Sequence, residues 1–457
     1  MQNFLKNKRV EPSKKNVLER IKNFEEIYER YDVSAAKGQS DRCVQCGIPY
    51  CHNGCPLDNY IPHWLKLVAG NDLKLAFKMS NQTSPFPEIM GRVCPQDRLC
   101  EGSCTLNKDF GAVTIGSVEV FITEEGFKNG LGLEFPGITT DKKVAVIGSG
   151  PAGMSVATFL LRNGIAVDMY EKEAFAGGLL VWGIPDFKLN KESVQRRIEI
   201  LKSAGMKLFT KTEVGKEISF DELRNKYDAV FIGIGAKRAN RASIGGEDAN
   251  GVCQAMDFLG SAQKRTLELP QIKKIDVKDK KVVVIGGGDT AMDCVRTSIR
   301  EGAKSALCLY RRGEDGMPGS KKEFKNAKEE GAEFRFFAAP KEIIAKDGSV
   351  AGVKIVTTAI EGGGTRGKLI EVAGSEEIID ADIVVTALGF GVELPAFVPS
   401  SGIKTDEWGQ ILVNGSYETS LENVYAGGDC YRGANLVVNA ALDGREAARA
   451  IATKLLG

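Results

Sequence analysis

From Lys142 onward, short apolar runs alternate along the chain with stretches in which apolar residues recur every three or four positions. Short apolar runs rich in β-branched residues predict buried strands, and the longer spacing predicts helices. Strands are expected at Val144–Ile147, Val167–Tyr170, Ala229–Ile232, Val282–Ile285, Ala306–Tyr310, Ile383–Ala387 and Val424–Ala426. Because strands and helices alternate, we expect an α/β fold with parallel sheets.

The order strand, glycine loop, helix, strand occurs twice in this region, starting at Val144 and at Val282. This is a weak internal duplication rather than a tandem repeat. A charged stretch, Gln271–Lys281, is expected to separate the two occurrences.

The first 140 residues have a different pattern and form a separate predicted unit. An amphipathic helix is expected from about Val17 to Tyr31, and another helix near Trp64–Val68 precedes turn-rich sequence with several prolines. The apolar face of the first helix would consist of Leu18, Ile21, Phe24, Ile27 and Tyr28. A single core rarely exceeds roughly 250–300 residues, so a chain of 457 residues is expected to form two or three domains.

The first glycine-rich turn follows a predicted strand and opens a helical stretch, Met154 to Asn163. Its residues are Gly148, Ser149, Gly150, Pro151, Ala152 and Gly153. The first glycine permits the tight turn, the second lets the backbone approach a pyrophosphate, and the third lets the helix pack closely on the strand. The next strand ends in Glu171, where a carboxylate would accept hydrogen bonds from ribose hydroxyls. Together these features predict a dinucleotide site, and a purely structural turn is the alternative.

The second glycine-rich turn also lies between a strand and a helix. Its residues are Gly286, Gly287, Gly288, Asp289, Thr290 and Ala291. The strand after it ends with Arg311 and Arg312 rather than with an acid. A carboxylate there would repel a 2′-phosphate, whereas guanidinium groups bind it in bidentate fashion. This turn therefore predicts an NADPH site, with a solvated charge pair as the alternative interpretation of the two arginines.

The two predicted dinucleotide sites are therefore expected to bind different cofactors. The site next to Glu171 suits FAD, and the site next to Arg311 and Arg312 suits NADPH. A late strand that ends in Gly427, Gly428 and Asp429 supports this division, because it can bring a carboxylate near the ribityl chain of a flavin. The following helix is expected from near Gly433–Asn435 to Ala450. The alternative for Asp429 is an ordinary helix cap.

Composition and charge exclude some classes of partner. The formal net charge is +1, which gives no reason to expect nucleic acid or an anionic membrane as partner. No apolar run approaches the roughly 20 residues that span a bilayer, and the basic start has no apolar stretch behind it. A cytoplasmic protein is therefore expected.

Seven of the 11 cysteines lie between Cys43 and Cys104, in two groups. The first group is Cys43, Cys46, Cys51 and Cys55, followed by Pro56, and the second is Cys94, Cys100 and Cys104. Such short spacings let a loop wrap an iron–sulfur cluster, and a proline after the last cysteine is common in ferredoxins. Zinc and inert thiols are the alternatives, but the paired CxxC form of a zinc ribbon is absent. Seven cysteines leave two [4Fe–4S] clusters one ligand short, and His52 is expected to be a bystander.

The cysteine segments resemble the N-terminal cluster domain of glutamate synthase small subunits, and dihydropyrimidine dehydrogenase has a similar domain. The matching stretches are Cys43–Pro56, Gly91–Cys104, Gly177–Leu189, Gly286–Arg296, Tyr310–Arg312, Met317–Ser320 and Arg432–Arg445. The resemblance therefore spans nearly the whole chain, and its combined motifs are highly specific.

The resemblance implies two [4Fe–4S] clusters whose ligands interleave between the two cysteine groups. One cluster would be held by Cys43, Cys46, Cys51 and Cys104. The other would be held by Cys55, Cys94 and Cys100, and in the dehydrogenase relative a glutamine completes it. Glu119 stands at the matching position in this sequence, and its role as the eighth ligand is a hypothesis.

The resemblance also implies a fold like that of glutathione reductase, in which the FAD domain is split by the NADPH domain. We expect a helical [4Fe–4S] domain at residues 1–140, FAD-binding halves at 141–265 and 385–457, and an NADPH-binding domain at 266–384. Gly178 and Leu179, with the Ile184–Pro185 turn, would lie along the FAD.

The implied chemistry is electron transfer, in which NADPH gives a hydride to FAD and the clusters accept single electrons. No protein acid or base is predicted to be catalytic. Glutamate synthesis is not expected from this chain, which has neither an early cysteine nucleophile nor roughly 250 residues for a barrel. The expected partner is a large (alpha) glutamate synthase subunit that uses glutamine and 2-oxoglutarate.

Two alternatives stay open. One is an NAD(P)H:ferredoxin oxidoreductase or transhydrogenase subunit built on the same module. The other is a non-redox interaction protein with zinc in the cysteine region, which would be colourless, whereas a flavin–iron protein is yellow-brown.

Overall fold

The structure, a computed structural model, describes residues 3–270, 275–362, 364–365 and 367–457. The helices are α1 Val17–Arg20, α2 Val33–Ser40, α3 Tyr50–Asn53, α4 Ile61–Ala69, α5 Leu73–Thr83, α6 Pro87–Val93, α7 Ile115–Lys128, α8 Pro151–Arg162, α9 Leu179–Trp182, α10 Lys191–Ser203, α11 Phe220–Lys226, α12 Ala255–Thr266, α13 Asp289–Arg300, α14 Lys321–Glu329, α15 Phe397–Ser400, α16 Asp429–Arg432 and α17 Val437–Leu456. The strands are β1 Lys143–Ile147, β2 Ala166–Tyr170, β3 Lys207–Phe209, β4 Ala229–Ile232, β5 Arg238–Ala239, β6 Val252–Gln254, β7 Lys281–Ile285, β8 Ser305–Leu309, β9 Glu333–Arg335, β10 Ala338–Lys346, β11 Ser349–Glu361, β12 Lys368–Glu371, β13 Glu377–Asp380, β14 Ile383–Thr386, β15 Phe390–Gly391 and β16 Val424–Ala426. Short 3₁₀ turns lie at Asn3–Leu5, Gln96–Arg98 and Glu314–Gly316. Residues 271–274 of the predicted charged stretch lie outside the described residues.

Every strand predicted from the apolar runs is present, and its ends differ from the prediction by at most one residue. These strands are buried along almost their whole length, as β1, β7 and β14 illustrate. Strands buried on both faces read as continuous apolar runs, which is why the sequence pattern located them well. The predicted α/β class with parallel sheets is confirmed.

Four strands of each parallel sheet follow the same order, β4-β1-β2-β3 in the first and β14-β7-β8-β9 in the second. The first has the strand order β16-β4-β1-β2-β3, and the second has the order β6-β14-β7-β8-β9. Within both, neighbouring strands are parallel. Ile147 pairs with Tyr170 in the first sheet, as Ile285 pairs with Leu309 in the second. The duplication that was weak in the sequence therefore extends to four strands of each sheet, whereas the fifth strand comes last in the first sheet (β16) and first in the second (β6).

The chain builds most of the first sheet, then the second, and returns to the first with β16. Strand β6 falls inside the 141–265 segment expected for the first FAD half, but it pairs with β14 in the second sheet. Beyond β16, helix α17 packs along α8, and Ser155 Oγ of α8 donates a hydrogen bond to Ala441 O at 2.6 Å. The late helix predicted from near Gly433–Asn435 is thus present, starting two residues after the predicted range and ending six residues after Ala450.

An antiparallel layer of β10, β11, β12 and β13 lies in sequence between β9 and β14 of the second sheet. Apolar residues of this layer, including Ile343 and Val353, share a buried core with Val283 and Ile285 of β7. The layer therefore covers the second sheet near the end where the second glycine-rich turn lies.

The helix expected from Val17 to Tyr31 is wrong, because only Val17–Arg20 is helical. The rest of the segment makes its backbone hydrogen bonds with distant residues. The Ile27 N–H donates to Phe187 O at 3.3 Å, the Lys15 N–H donates to Ile27 O at 2.9 Å, and Lys14 forms an antiparallel bridge with Tyr28. Tertiary partners therefore take the place of the helical i to i−4 bonds that the local pattern favours.

The remaining N-terminal helices enclose a small core around Trp64, which is fully buried. The helix predicted near Trp64–Val68 is present as α4, which has a proline in its first turn and ends at Gly70. No helix in the described part of the chain is both long and apolar enough to cross a bilayer.

Candidate cofactor sites

The first glycine-rich turn has the backbone that its sequence predicts. Gly148 has a φ of +96°, and a Cβ there would collide with Gly233 O at the end of β4. A Cβ on Gly153 would collide with Gly148 O, so this glycine lets α8 approach the turn. A Cβ on Gly150 would meet nothing nearer than Gly178 Cα at 4.0 Å. Protein packing therefore explains the outer two glycines, whereas Gly150 faces open space that a ligand could fill.

That open space belongs to a cavity that brings together most of the residues predicted for FAD. They are Gly148, Gly150, Pro151, Ala152, Glu171, Gly178, Leu179, Gly428 and Asp429. Gly153 lies behind the turn rather than on the cavity wall. The wall also contains residues that the sequence did not single out, among them Lys172, Thr212, Lys237, Pro395 and Asn435. These come from loops with no motif of their own, so only the fold could identify them.

The Glu171 carboxylate makes most of its hydrogen bonds with residues in and next to the turn. Its Oε2 accepts hydrogen bonds from the backbone N–H of Ser149 at 3.1 Å and from the Ser149 hydroxyl. Its Oε1 accepts from the Glu173 N–H at 2.9 Å. A carboxylate offers about four acceptor sites, so about one remains for a ribose hydroxyl. The acid thus fixes the turn and still has capacity for a ligand.

Asp429 opens the four-residue helix α16 and faces the cavity. Burial raises the pKa of Asp429 to about 7, although a hydrogen bond from the Asn435 N–H opposes this rise. Gly428, at a φ of +76°, donates its N–H to Asp443 Oδ2 at 2.9 Å, and Arg432 forms an ion pair with the same carboxylate at 2.6 Å. Asp443 therefore holds the Gly427–Gly428 turn from behind, a role that the sequence did not indicate.

The second glycine-rich turn repeats this backbone. Gly286 has a φ of +152°, and a Cβ there would collide with Ala387 O beyond β14. A Cβ on Gly288 would meet no atom within 4 Å. Ala291 occupies the position that Gly153 has in the first turn. The space in front of Gly288 is thus again free for a phosphate group at the start of a twelve-residue helix.

The tip of the second site differs from that of the first. By the register of the sheets, Tyr310 occupies the place of Glu171, and its ring packs where a Cβ on Gly287 would be. The Tyr310 hydroxyl donates to Gly316 O at 2.8 Å. Arg311 is exposed, and Arg312 is half-buried with Nη1 donating to Gly367 O at 2.9 Å. Arg311 is thus open to a ligand, and Arg312 keeps other N–H groups besides the one bound to Gly367.

Two further segments contact this turn. The Gly319 N–H donates to Gly287 O at 3.1 Å, and the Ser320 N–H donates to Asp289 Oδ1 at 2.9 Å. Arg98, which lies between Cys94 and Cys100, donates to Pro318 O at 2.6 Å and lies 3.7 Å from Asp289 Oδ2. The loop of the second cysteine group therefore touches the predicted NADPH site directly.

The structure brings four thiols around one small cavity, here called the outer group. They are Cys43, Cys46, Cys51 and Cys104. Burial, and after it the neighbouring Cys104, raises the pKa of Cys51 to about 12. Cys46 remains partly exposed, and Ile48 and Tyr50 beside it are 68% and 57% exposed. The outer group thus lies at the protein surface.

The other three thiols and one carboxyl group are called the inner group. They are Cys55, Cys94, Cys100 and Glu119. Burial and the nearby Glu119 raise the pKa of Cys94 well above its usual value. Burial also raises the pKa of Glu119 to about 8. Cys55 and Cys94 pack against the same apolar core as Ala152 and Leu180. Two thiols of the inner group therefore contact the core that also contains residues of α8 and α9, while Cys55 and Cys100 also belong to the N-terminal core around Trp64.

The donor set of both groups suits iron–sulfur clusters. A four-iron cluster is larger than a single ion, so its thiolates stand farther apart than those of a zinc site. Within the described ranges, no three His, Cys, Asp or Glu side chains converge closely enough to hold a single metal ion. His52 belongs to neither group, since its ring stacks on Tyr60 and Nδ1 lies 3.1 Å from Asn59 O.

Two family models match the chain. Residues 20–131 match the model described as dihydropyrimidine dehydrogenase domain II, 4Fe-4S cluster. Residues 142–444 match the pyridine nucleotide-disulphide oxidoreductase model. The first match contains both cysteine groups and Glu119, and the second contains both glycine-rich turns.

Curated relatives match over nearly the full length. The chain is 45% identical to the glutamate synthase (NADPH) small chain of Escherichia coli K12, over 98% of this chain and 97% of that one. It is 43% identical to the putative oxidoreductase AegA of the same organism, over 97% of this chain and 69% of AegA.

Among solved structures, FprA of Mycobacterium tuberculosis in complex with NADPH is similar at a TM-score of 0.58. The match has 22% identity and covers 69% of this chain and 85% of FprA. At this identity the similarity supports the fold alone.

Proposed function

The chain belongs to the family of NADPH-dependent glutamate synthase small chains, and from this premise we propose the route that its electrons take. The second glycine-rich turn would bind NADPH as the electron donor, and the first turn and the two cysteine groups would hold FAD and two [4Fe–4S] clusters that connect it to a large subunit, which makes glutamate from glutamine and 2-oxoglutarate. When bound, FAD accepts a hydride and releases electrons singly, as iron–sulfur clusters require.

The observation that carries this proposal is the position of the inner group. Cys55 and Cys94 pack against the core that supports the first glycine-rich turn, whereas the outer group lies at the surface. In this proposal, electrons would pass from the flavin cavity to the inner group and from there to the outer group. An electron carrier needs this order, because a buried donor must reach an acceptor outside the protein.

Separate sets of residues would bind the cofactors. The turn from Gly148 to Gly153, with Glu171, Gly178, Leu179, Gly428 and Asp429, would hold FAD. The turn from Gly286 to Ala291, with Arg311 and Arg312, would hold NADPH. The outer group would hold one cluster and the inner group the other, with Glu119 as its fourth ligand. The domain limits 1–140, 141–265, 266–384 and 385–457 remain part of this proposal.

Anaerobic purification followed by NADPH titration tests the route. We expect bound iron, acid-labile sulfide and FAD, and we expect NADPH to bleach the flavin absorbance. Replacing one ligand of each group, by Cys46→Ser and by Cys94→Ser, should remove about half of the iron in either case. Cys253→Ser is the matched control, because this thiol lies in the second sheet. Protein without iron, or flavin that stays oxidised with NADPH present, would end the proposal.

The partner is tested by co-expression with a large glutamate synthase subunit. We expect a stable complex that makes glutamate from glutamine, 2-oxoglutarate and NADPH, and no glutamate from the small chain alone. Glutamate synthesis by the isolated chain would contradict the proposed division of labour.

The match to AegA, a putative oxidoreductase that aligns with 97% of this chain, supports as a second candidate an oxidoreductase other than a glutamate synthase subunit. The same module could reduce a ferredoxin. Reduction of ferredoxin by NADPH in the absence of a large subunit, at a rate comparable to that of the complex, would favour this alternative.

A further inference from the structure

Asn59 is a buried polar residue in the segment that joins the first cysteine group to α4. Only 3% of its surface is exposed. Its side-chain amide donates a hydrogen bond to Glu119 Oε1 at 2.9 Å. Its own Oδ1 accepts a hydrogen bond from the Thr83 hydroxyl at 2.8 Å. Because a buried amide must be satisfied on both sides, Asn59 and Glu119 are fixed relative to each other.

Asn59 also contacts the inner group through its backbone. The backbone N–H groups of Leu57 and Asn59 lie near the sulfur of Cys55. The same loop is tied to the flavin side, since Arg445 of α17 donates to Leu57 O at 2.7 Å and to Thr83 O at 3.2 Å. Asn59 thus bonds to one member of the inner group, the Glu119 carboxyl group, and lies beside another, the Cys55 thiol.

The hydrogen bond from Asn59 engages one oxygen of Glu119. No other hydrogen bond to this carboxyl group forms among the described residues, and the group lies near the thiols of Cys94 and Cys100. A carboxylate that binds iron through one oxygen is oriented by a donor on the other, as the outer partners of metal ligands commonly do. We propose that Asn59 is a positioning residue of the inner cluster, because its amide turns Glu119 and its backbone lies beside Cys55.

This inference rests on the proposed function, and it extends that function to a residue outside both cysteine motifs. The test exploits the near-equal size of Asn and Asp, and of Gln and Glu. Asn59→Asp keeps the acceptor for Thr83 but replaces the donor with a second carboxyl group beside Glu119. Adding Glu119→Gln reverses the bond, because the new amide at 119 donates to Asp and keeps its carbonyl oxygen for iron.

The readouts are the electron paramagnetic resonance spectra of the two reduced clusters and the rate at which a chelator removes iron. For Asn59→Asp we expect a changed inner-cluster signal and about tenfold faster loss of that iron, with the outer signal unchanged. The double variant should recover the inner signal and most of the resistance to chelation. Asn81→Asp is the matched control, since Asn81 is equally buried but its side chain faces Phe77 O and Arg197.

Should Asn59→Asp fail to fold, Thr83→Val removes only the hydroxyl that anchors the amide and should change the inner signal in the same direction. An inner signal that is unchanged in Asn59→Asp or in Thr83→Val would overturn the inference, and so would a double variant no better than the single one. Absence of both clusters from the unaltered protein would instead reject the proposed function.

Discussion

The first and second glycine-rich turns each join a five-residue strand to a twelve-residue helix through three residues. In both, the first glycine is required because the carbonyl of a neighbouring strand end lies where a Cβ would be. In both, the third residue of the turn faces open space. The two sites differ at the tip of the next strand, where Glu171 holds the first turn and Tyr310 packs on the second. We therefore expect the shared backbone geometry to bind phosphate at both turns and the residue at the strand end to select the nucleotide.

The largest expected effect comes from filling the open space of each turn separately. Gly150→Val should yield protein with little or no flavin. Gly288→Val should keep its flavin, but the rate at which NADPH reduces that flavin should fall about 100-fold or more. A side chain there removes at least two hydrogen bonds to phosphate of about 1.5–3 kcal/mol each. Flavin absorbance per chain and the rate of flavin bleaching by NADPH measure the two effects.

Both variants should fold, because the backbone at Gly150 (φ −66°) and at Gly288 (φ −89°) suits any residue. Circular dichroism of each variant provides the control. Loss of flavin in Gly288→Val would contradict the assignment of the two turns to different nucleotides.

The next effect concerns the tip of the second site. Arg311→Ala combined with Arg312→Ala should lower the preference for NADPH over NADH by about 100-fold, since each charge-assisted hydrogen bond to the 2′-phosphate contributes about 1.5–3 kcal/mol. The ratio of kcat/KM for the two nucleotides at fixed ionic strength measures it. Arg241→Ala is the matched control, because this exposed arginine pairs with Glu247 and Asp248. An unchanged ratio would identify the arginines as a solvated charge pair.

A smaller effect is expected at the tip of the first site. Glu171→Gln should weaken FAD binding by about tenfold, because a neutral amide accepts weaker hydrogen bonds from Ser149 and from the ribose than a carboxylate does. Dialysis against FAD-free buffer, followed by titration with FAD, gives the dissociation constant. Ser149→Ala leaves the carboxylate for the ribose but removes the two hydrogen bonds of the hydroxyl, to Glu171 and from the Gly177 N–H, so it measures what the turn itself contributes. Equal affinity in Glu171→Gln and in the unaltered protein would assign the acid no part in FAD binding.

The sequence was sufficient wherever the cause was local. Buried parallel strands and glycine-rich turns depend on residues close together in the chain, so their positions were predicted within a residue. The helix from Val17 to Tyr31 failed because Phe187 and Ser13–Lys15 bind its backbone instead. Asn59 and Asp443 were missed for the same kind of reason. Their partners, Glu119 and Gly428, come from other parts of the chain, and no spacing rule connects them.

The smallest expected effect concerns Asp289, an acidic residue that the first turn lacks. Asp289 places a negative charge in the first turn of α13, close to where the nucleotide phosphates would lie, and Arg98 offsets that charge from 3.7 Å away. The Arg98 side chain is 43% exposed, so its ion pair is worth at most about 1 kcal/mol. Arg98→Ala should therefore weaken NADP⁺ binding by up to about fivefold at low salt and by less at high salt, where such charges are screened. Adding Asp289→Asn should restore most of the affinity, because no charge is left to offset.

Titrations with NADP⁺ at two salt concentrations, with flavin and iron contents as controls, measure these values. An equal loss in the single and double variants would mean that Arg98 acts on the nucleotide without Asp289, and that the cysteine loop itself forms part of the NADPH site.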